Sequence, residues 1–184
     1  MNAVRTDKRV ARSMRRNYML IMIAAVGKKN ELGKDNQLIW RLSKDMKFFR
    51  ERTKNAVIVM GRKTFNSLPK ILPNRRHIVL SKGKDFNKEL DENVTVIEDK
   101  NQLISYCKEL SKKEEVFIIG GASLYGMFME FADRMYLTRI EAEDCAADVY
   151  FPEIEENKWE KTVLSEEEEN EIRFCFVEYS RKRA

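Results

Sequence analysis

Apolar residues along this chain fall into short continuous runs that are separated by polar segments. Runs of this length, rich in valine and isoleucine, are typical of strands that are buried on both faces of a sheet. They predict strands at residues 18–26, 56–60, 77–81, 94–98, 116–119 and 134–140.

Other segments have the spacing of amphipathic helices. Residues 43–53 place Met46 and Phe49 on one side of a helix, and Ser43 is its candidate N-cap. Further helices are predicted at residues 62–68, 101–110 and 123–131, whereas the polar, glycine-containing residues 27–37 predict a loop. Strands that alternate with helices predict a mostly parallel sheet with helices on its faces.

The C-terminal part has a different pattern. Residues 159–164 and 172–180 alternate in the way that antiparallel strands do, around an acidic turn at residues 165–170. We therefore predict a single α/β domain over residues 19–184, with a mostly parallel sheet and an antiparallel C-terminal hairpin. The apolar stretch at residues 19–26 is far too short to cross a bilayer.

Composition narrows the class of protein. Of the 184 residues, 43% are hydrophobic and 35% are charged, which is typical of a folded domain. The three cysteines are widely spaced and form no CxxC pair, and His77 is the only histidine. We therefore expect neither a disulfide framework nor a metal site, and we expect a reducing, cytoplasmic environment.

The net charge of +5 is unevenly placed along the chain. Residues 1–18 carry six basic side chains and one acidic side chain, which leaves 29 of each sign in the rest. A basic N-terminal extension thus precedes a neutral domain, which disfavours nucleic-acid binding by the domain. We interpret the extension as a misassigned start, with an arm for an anionic surface or an organelle presequence as alternatives.

Two predicted strand-to-helix turns are suited to anions. The first is Gly61-Arg62-Lys63-Thr64, and the second is Gly120-Gly121-Ala122-Ser123. Glycine allows close backbone approach, and a helix N-terminus favours negative charge. Neither turn is a Rossmann or Walker motif, so tight turn geometry and solvated charge remain alternatives.

Asp45 is the most interesting acid, since it lies in the first turn of the helix that carries Met46 and Phe49. A lone carboxylate in an apolar pocket is a candidate proton source or cation ligand, although an acid also stabilises a helix start. Trp40 could cover a pocket or belong to the core. Arg75 could bind a carboxylate or belong to a charged turn.

Six segments carry a resemblance to a known family, in that family's order and at about its spacing. They are IAAVGKKNELGKDNQLIWRLSKDMKFF, VIVMGRKTFNSL, LPNRRHIVLS, VFIIGGASLY, MYLTRIEAE and DVYFP. On these segments the chain is similar to the dihydrofolate reductase family over about residues 19–180. The resemblance implies a sheet of eight strands flanked by four helices. It also implies reduction of dihydrofolate to tetrahydrofolate by NADPH, with hydride transfer to C6 and protonation of N5.

On the substrate side, the resemblance implies that Asp45 is the single pocket carboxylate that binds the pterin. Thr138 would hydrogen-bond Asp45 and the pterin, and Trp40 would border the pterin and hold an ordered water. Arg75 would pair with the α-carboxylate of the glutamate tail. The apolar walls would be formed by Met46, Phe49, Leu68, Leu72 and Ile119.

On the cofactor side, the resemblance implies contacts from both glycine turns and from a lid at residues 27–42, which Asp148 would help to hold closed. The family joins Gly120 and Gly121 by a cis peptide. A 2′-phosphate needs positive charge, so NADPH is expected rather than NADH. The implied cofactor-binding residues are Ala25, Leu32, Gly61, Arg62, Lys63, Thr64, Ser81, Lys82, Gly120, Gly121, Ser123 and Tyr125.

Three residues depart from the family's pattern, because Ile39, Ser43 and Ile71 stand where proline is usual. Fewer prolines give the unfolded chain more freedom, and we expect them to loosen the lid at residues 27–42. The alternatives are the pyrimidine reductase of riboflavin synthesis, a nucleic-acid binder that uses the basic extension, and a folate binder with slow turnover. We expect a monomer.

Overall fold

The computed structural model describes residues 19–35 and 37–182, so the predicted basic extension lies outside the described residues. The strands are β1 (Leu20–Val26), β2 (Glu31–Lys34), β3 (Gln37–Leu38), β4 (Val57–Gly61), β5 (Arg76–Leu80), β6 (Val94–Ile97), β7 (Val116–Gly120), β8 (Arg134–Ile140), β9 (Val149–Tyr150), β10 (Trp159–Glu169) and β11 (Ile172–Arg181). The helices are α1 (Ser43–Arg52), α2 (Arg62–Ser67), α3 (Lys100–Leu110) and α4 (Ala122–Phe128), with a 3₁₀ turn at Glu156–Lys158.

Eight strands form the main sheet, in the order β10-β11-β8-β1-β7-β4-β5-β6. The six strands from β8 to β6 run parallel to one another, and β11 and β10 add an antiparallel edge. The predicted fold class is therefore confirmed. Because the six parallel strands end at the same side of the sheet, the segments after β1, β4, β5 and β7 meet along one edge.

The sheet has apolar side chains on both faces because successive residues of a strand point to opposite sides. In β1, Leu20 and Met22 belong to the core beneath α3 and α4, whereas Ile21 and Ile23 belong to the core beneath α1 and α2. The central strands are thus covered on both faces, which explains their continuous hydrophobic sequences.

Two segments differ from the prediction. Residues 27–37, predicted as a loop, contain β2 and β3, which form a second sheet with β9 in the order β3-β2-β9. The acidic turn predicted at residues 165–170 is also wrong, because β10 continues to Glu169 and pairs with β11 up to that residue, with one irregularity between Val163 and Ser165. The turn consists of Asn170 and Glu171, whose φ angles are 52° and 62°. Two successive residues with positive φ fit a tight hairpin turn.

Helix α1 is held to the sheet mainly through Phe48, which stacks on Phe176 with ring centroids 4.2 Å apart. None of its residues is fully buried. The predicted N-cap at Ser43 is wrong: Leu42 takes that position without a side-chain hydrogen bond, and Ser43 is the first helical residue. In the described part of the chain, no helix is long and apolar enough to span a membrane.

Candidate active site

A cleft of about 470 Å³ lies at the edge where the parallel strands end. Its walls come from the two glycine turns, after β4 and β7, and from the second sheet. The sequence-predicted residues that line it are Leu32, Gly61, Arg62, Lys63, Thr64, Ile119, Gly120, Gly121, Ser123 and Tyr125. The structure thus brings together two turns that are far apart in the sequence.

The turn after β7 shows why glycine is needed there. Gly120 has a φ of +122°, a backbone conformation that residues other than glycine rarely adopt. A cis peptide joins it to Gly121. Tyr125 lies behind the turn and donates a hydrogen bond of 2.7 Å from its hydroxyl to the carbonyl oxygen of Ile23. Burial raises the pKa of Tyr125, so the hydroxyl stays protonated.

Both glycine turns lead directly into helices whose cap residues are glycines, Gly61 for α2 and Gly121 for α4. A glycine has no side chain that could cap the first-turn N–H groups, and such groups suit phosphate oxygens. A Cβ atom on Gly121 would lie 3.7 Å from the hydroxyl oxygen of Thr64, so the two turns approach each other closely. Together with Arg62 and Lys63, they fit a dinucleotide pyrophosphate.

A second recess, of about 350 Å³, adjoins the first through Arg62. It is lined by Ser81 and Lys82, two of the sequence-predicted residues, and also by Lys100, the first residue of α3. The hydroxyl of Ser81 donates to the carbonyl oxygen of Gly83 at 2.7 Å, which fixes the turn after β5. Three cations around one recess suit a phosphate monoester, although Asp85 and Glu98 also line it. Lys100 was missed because nothing near it in sequence relates it to Arg62.

Asp45 lies on the inner side of α1 and accepts a hydrogen bond of 2.6 Å from the hydroxyl of Thr138 on β8. Thr138 is only 2% exposed, and it pairs in register with Ala25 of β1. Burial raises the pKa of Asp45, the bond from Thr138 lowers it, and the negative charge of Glu169 raises it further. Asp45 is therefore a carboxyl group that holds its proton more strongly than an exposed aspartate does.

The predicted apolar wall residues lie on the same face of the sheet as Asp45. Four of them pack half-buried against one core cluster, namely Phe49, Leu68, Leu72 and Ile119. Met46 is 39% exposed and lies outside the core clusters. Trp40 and Ala25 pack against the neighbouring cluster, which contains Phe176 and also Leu42, the residue before α1.

Gly27 is required beside Trp40. A Cβ atom at this glycine would lie 2.5 Å from the Trp40 ring and 2.5 Å from a carboxylate oxygen of Glu31. Side chains cannot approach that closely, so only glycine fits between them.

Arg75 is held rigidly at the end of α1. Its guanidinium donates to the hydroxyl of Thr53 at 2.9 Å, to the carbonyl oxygen of Arg50 at 2.9 Å and to that of Pro73 at 2.7 Å. Burial lowers the pKa of Arg75, and the nearby charge of Arg50 adds to this effect. Arg75 does not line the cleft itself but a separate recess, together with Asn74 and Glu114. A guanidinium fixed in this way is suited to a carboxylate.

His77 supports this wall, a role that sequence reasoning missed. The ring is fully buried, and its Nε2 accepts a hydrogen bond of 3.1 Å from the backbone N–H of Leu72. Its Nδ1 has no partner among the described residues. Burial lowers the pKa of His77, so the imidazole stays neutral and can accept the bond.

The predicted lid is tied down at two places. Asp148 accepts a hydrogen bond of 3.1 Å from the N–H of Asp35, and its own N–H donates to the carbonyl oxygen of Gly33. Glu31, which the sequence did not single out, is 1% exposed and accepts from the N–H groups of Lys29 and Asp144. A buried carboxylate bonded to two backbone donors joins the lid to the segment before β9.

The described residues contain no group of three or more His, Cys, Asp or Glu side chains arranged to hold a metal ion. Their cysteines, Cys107, Cys145 and Cys175, are free.

The fold and the cleft define an α/β enzyme that binds a phosphorylated dinucleotide beside a single acidic group. A family model for dihydrofolate reductase matches residues 19–181. The chain is 37% identical over 170 residues to dihydrofolate reductase of Bacillus subtilis (strain 168), covering 90% of this chain and 96% of that protein. It is 35% identical over 165 residues to that of Staphylococcus haemolyticus, covering 88% and 95%.

Among solved structures, the chain is similar to dihydrofolate reductase from Enterococcus faecalis complexed with NADP(H) and RAB-propyl. The TM-score is 0.76 at 31% identity, with coverage of 91% of this chain and 98% of that chain. The chain belongs to the dihydrofolate reductase family. It is an NADPH-dependent oxidoreductase that reduces dihydrofolate, so the pyrimidine reductase alternative is not retained.

Proposed function

We propose that the cleft divides this reduction between two adjoining regions, one for each reactant. The observation that carries the proposal is the Asp45–Thr138 pair, a partly buried acid whose charge acts on the pKa of Tyr125, which lines the cleft. When bound, NADPH supplies the hydride. The protein orients the two reactants and controls the proton.

In the substrate region, Asp45 binds the ring nitrogen and amino group of the pterin, and Thr138 holds the carboxyl group in position. Trp40 borders the pterin and holds the water that delivers the proton to N5. Because burial raises the pKa of Asp45, the proton is retained to higher pH than at an exposed aspartate. The rate of reduction should therefore fall as the pH rises through the pKa of Asp45.

Selectivity for substrate comes from the rest of this region. Met46, Phe49, Leu68, Leu72 and Ile119 form the apolar walls, which exclude water from the reacting ring. Arg75 pairs with the α-carboxylate of the glutamate tail, and its three hydrogen bonds fix its direction before substrate arrives.

In the cofactor region, Ala25 and Leu32 contact the nicotinamide, and Gly120 and Gly121 allow the backbone to approach it. Tyr125 supports that turn through its bond to Ile23. The phosphates are held by Gly61, Arg62, Lys63, Thr64 and Ser123. Ser81, Lys82 and Lys100 hold the 2′-phosphate, which distinguishes NADPH from NADH.

We further propose that residues 19–184 form one domain and that the protein is a monomer that works in the reducing cytoplasm. The free cysteines support the reducing environment. The balance of 29 basic and 29 acidic residues after residue 18 disfavours a nucleic-acid partner.

The decisive experiment compares NADPH oxidation by wild type, Asp45→Asn and Glu51→Gln, with and without dihydrofolate and with NADH as a cofactor control. Glu51 lies on the same helix and faces solvent, and among the described residues it pairs only with Lys47, at 3.9 Å. Its substitution is therefore a matched control that also removes one carboxylate. Asp45→Asn should lower kcat by about a hundredfold or more at neutral pH, and Glu51→Gln should leave it unchanged. Full activity of Asp45→Asn would contradict the role assigned to Asp45.

A further inference from the structure

The hairpin of β10 and β11 reaches across to the start of α1, the helix that carries Asp45. One oxygen of the Glu169 carboxylate accepts from the N–H of Ser43 at 2.7 Å and from its hydroxyl at 2.8 Å. The other oxygen accepts from the N–H of Lys44 at 3.0 Å. Glu169 therefore caps the helix from another part of the chain, where Leu42 offers no side-chain cap.

Lys44 fastens the same hairpin from the helix side. Its ammonium donates to the Glu167 carboxylate at 2.7 Å and to the carbonyl oxygen of Glu168 at 3.2 Å. Glu167 and Glu169 point to the same face of β10, because side chains of a strand alternate. The side chain of Glu168 is exposed on the opposite face.

Ser43 makes this arrangement possible. A proline at this position would have neither an N–H nor a hydroxyl group, so two of the three donors to Glu169 would be lost. The serine that departs from the family's pattern is therefore the residue that gives Glu169 two of its three donors.

We propose that Glu169 is a positioning residue for the reduction, which caps α1 and thereby fixes the Asp45 carboxyl group and places a negative charge beside it. The proposal deepens the function proposed above and rests on it. Glu169 lines neither the cleft nor the adjoining recess, and it acts through the helix start and through its field at Asp45. The charge is the part of this role that a purely structural cap would not supply.

The groups that couple to Asp45 come from several elements. Glu169 of β10 raises its pKa, and Thr138 of β8 lowers it through an uncharged hydroxyl. Tyr125 of α4 is coupled to Asp45, but burial raises its own pKa and keeps it neutral. Lys44 of α1 is engaged with Glu167. Removal of the Glu169 charge should therefore lower the pKa of Asp45 and move the decline of the rate to lower pH.

The test compares the pH dependence of single-turnover hydride transfer in wild type, Glu169→Gln and Glu168→Gln. Both variants lose one charge from the hairpin, and glutamine at residue 169 can still accept a bond from the helix start. Glu169→Gln should shift the midpoint to lower pH and lower the neutral-pH rate by roughly two- to fivefold. Glu168→Gln should match wild type.

Carbon-13 NMR titration of the Asp45 carboxyl group gives a readout that does not depend on turnover, and Ser43→Ala gives a second, milder loss of the cap. An inactive wild type would refute the proposed function, while the titration would still test the coupling. If Glu169→Gln and Glu168→Gln give the same Asp45 titration and the same pH profile, Glu169 has no positioning role.

Discussion

Thr138→Val is the sharpest probe of the acidic group, because valine keeps the shape of threonine and removes only the hydroxyl. The lost bond is 2.6 Å long, and Thr138 is 2% exposed, so water cannot easily replace it. A hydrogen bond to a charged group contributes about 1.5–3 kcal/mol to stability, and a neutral one about 0.5–1.5 kcal/mol. The cost of the substitution should therefore depend on whether Asp45 is ionised.

The direction in which stability changes with pH follows from the pKa of Asp45, which burial raises above its ordinary value. A raised pKa means that stability is fully present when the carboxyl group is protonated and declines as the pH rises through the folded-state pKa. Thr138→Val removes the bond that lowers this pKa, so the decline of stability with rising pH should become larger. We expect a loss of about 1 kcal/mol at low pH and about 2–3 kcal/mol once Asp45 is ionised.

Urea unfolding of the ligand-free protein, at a series of values from about pH 4 to about pH 8, measures this difference. Thr138→Ser is the control, since it keeps the hydroxyl and loses only a methyl group. Its loss of stability should be independent of pH. If the valine variant lost the same free energy at every pH, the Thr138 bond would not favour the ionised form, and the explanation given for the pKa would be wrong.

Two further predictions concern the recess and the buried ring. Lys82→Ala should weaken NADPH binding by about tenfold and leave NADH binding unchanged, as measured by fluorescence titration. Equal losses of affinity for both cofactors would show that Lys82 is not part of the 2′-phosphate site. Because burial lowers the pKa of His77, its ring resists protonation in the folded state, so stability should fall as the pH drops below about 6.5. His77→Asn should flatten that acid-side decline in urea unfolding, and an unchanged decline would assign it to other groups.

The main sheet was predictable because its strands are buried on both faces and read as continuous apolar runs. The lid strands were not, since β2 and β3 have four and two residues and depend on pairing with the distant β9. The glutamates of residues 166–169 are poor strand formers, and β11 holds them in the sheet.

The site was predictable only in part from the residues themselves. Spacing placed Asp45 at a helix start, and the resemblance paired it with Thr138, 93 residues away. Glu31 and Glu169 were missed because each accepts from backbone N–H groups of a distant segment. His77 was missed because its bond from Leu72 depends on how the chain turns before β5. A buried polar side chain has partners that only the folded chain brings together.

The partners of Asp45 also determine when the site can form during synthesis. Asp45 is made early, but Thr138 follows 93 residues later, and Glu169 lies 126 residues after Ser43. Strand β1 lies between β8 and β7, so it too waits for segments from the second half of the chain. A nascent chain that has just completed the lid and both glycine turns still has α1 without its cap. The enzyme becomes competent only when its last hairpin has left the ribosome.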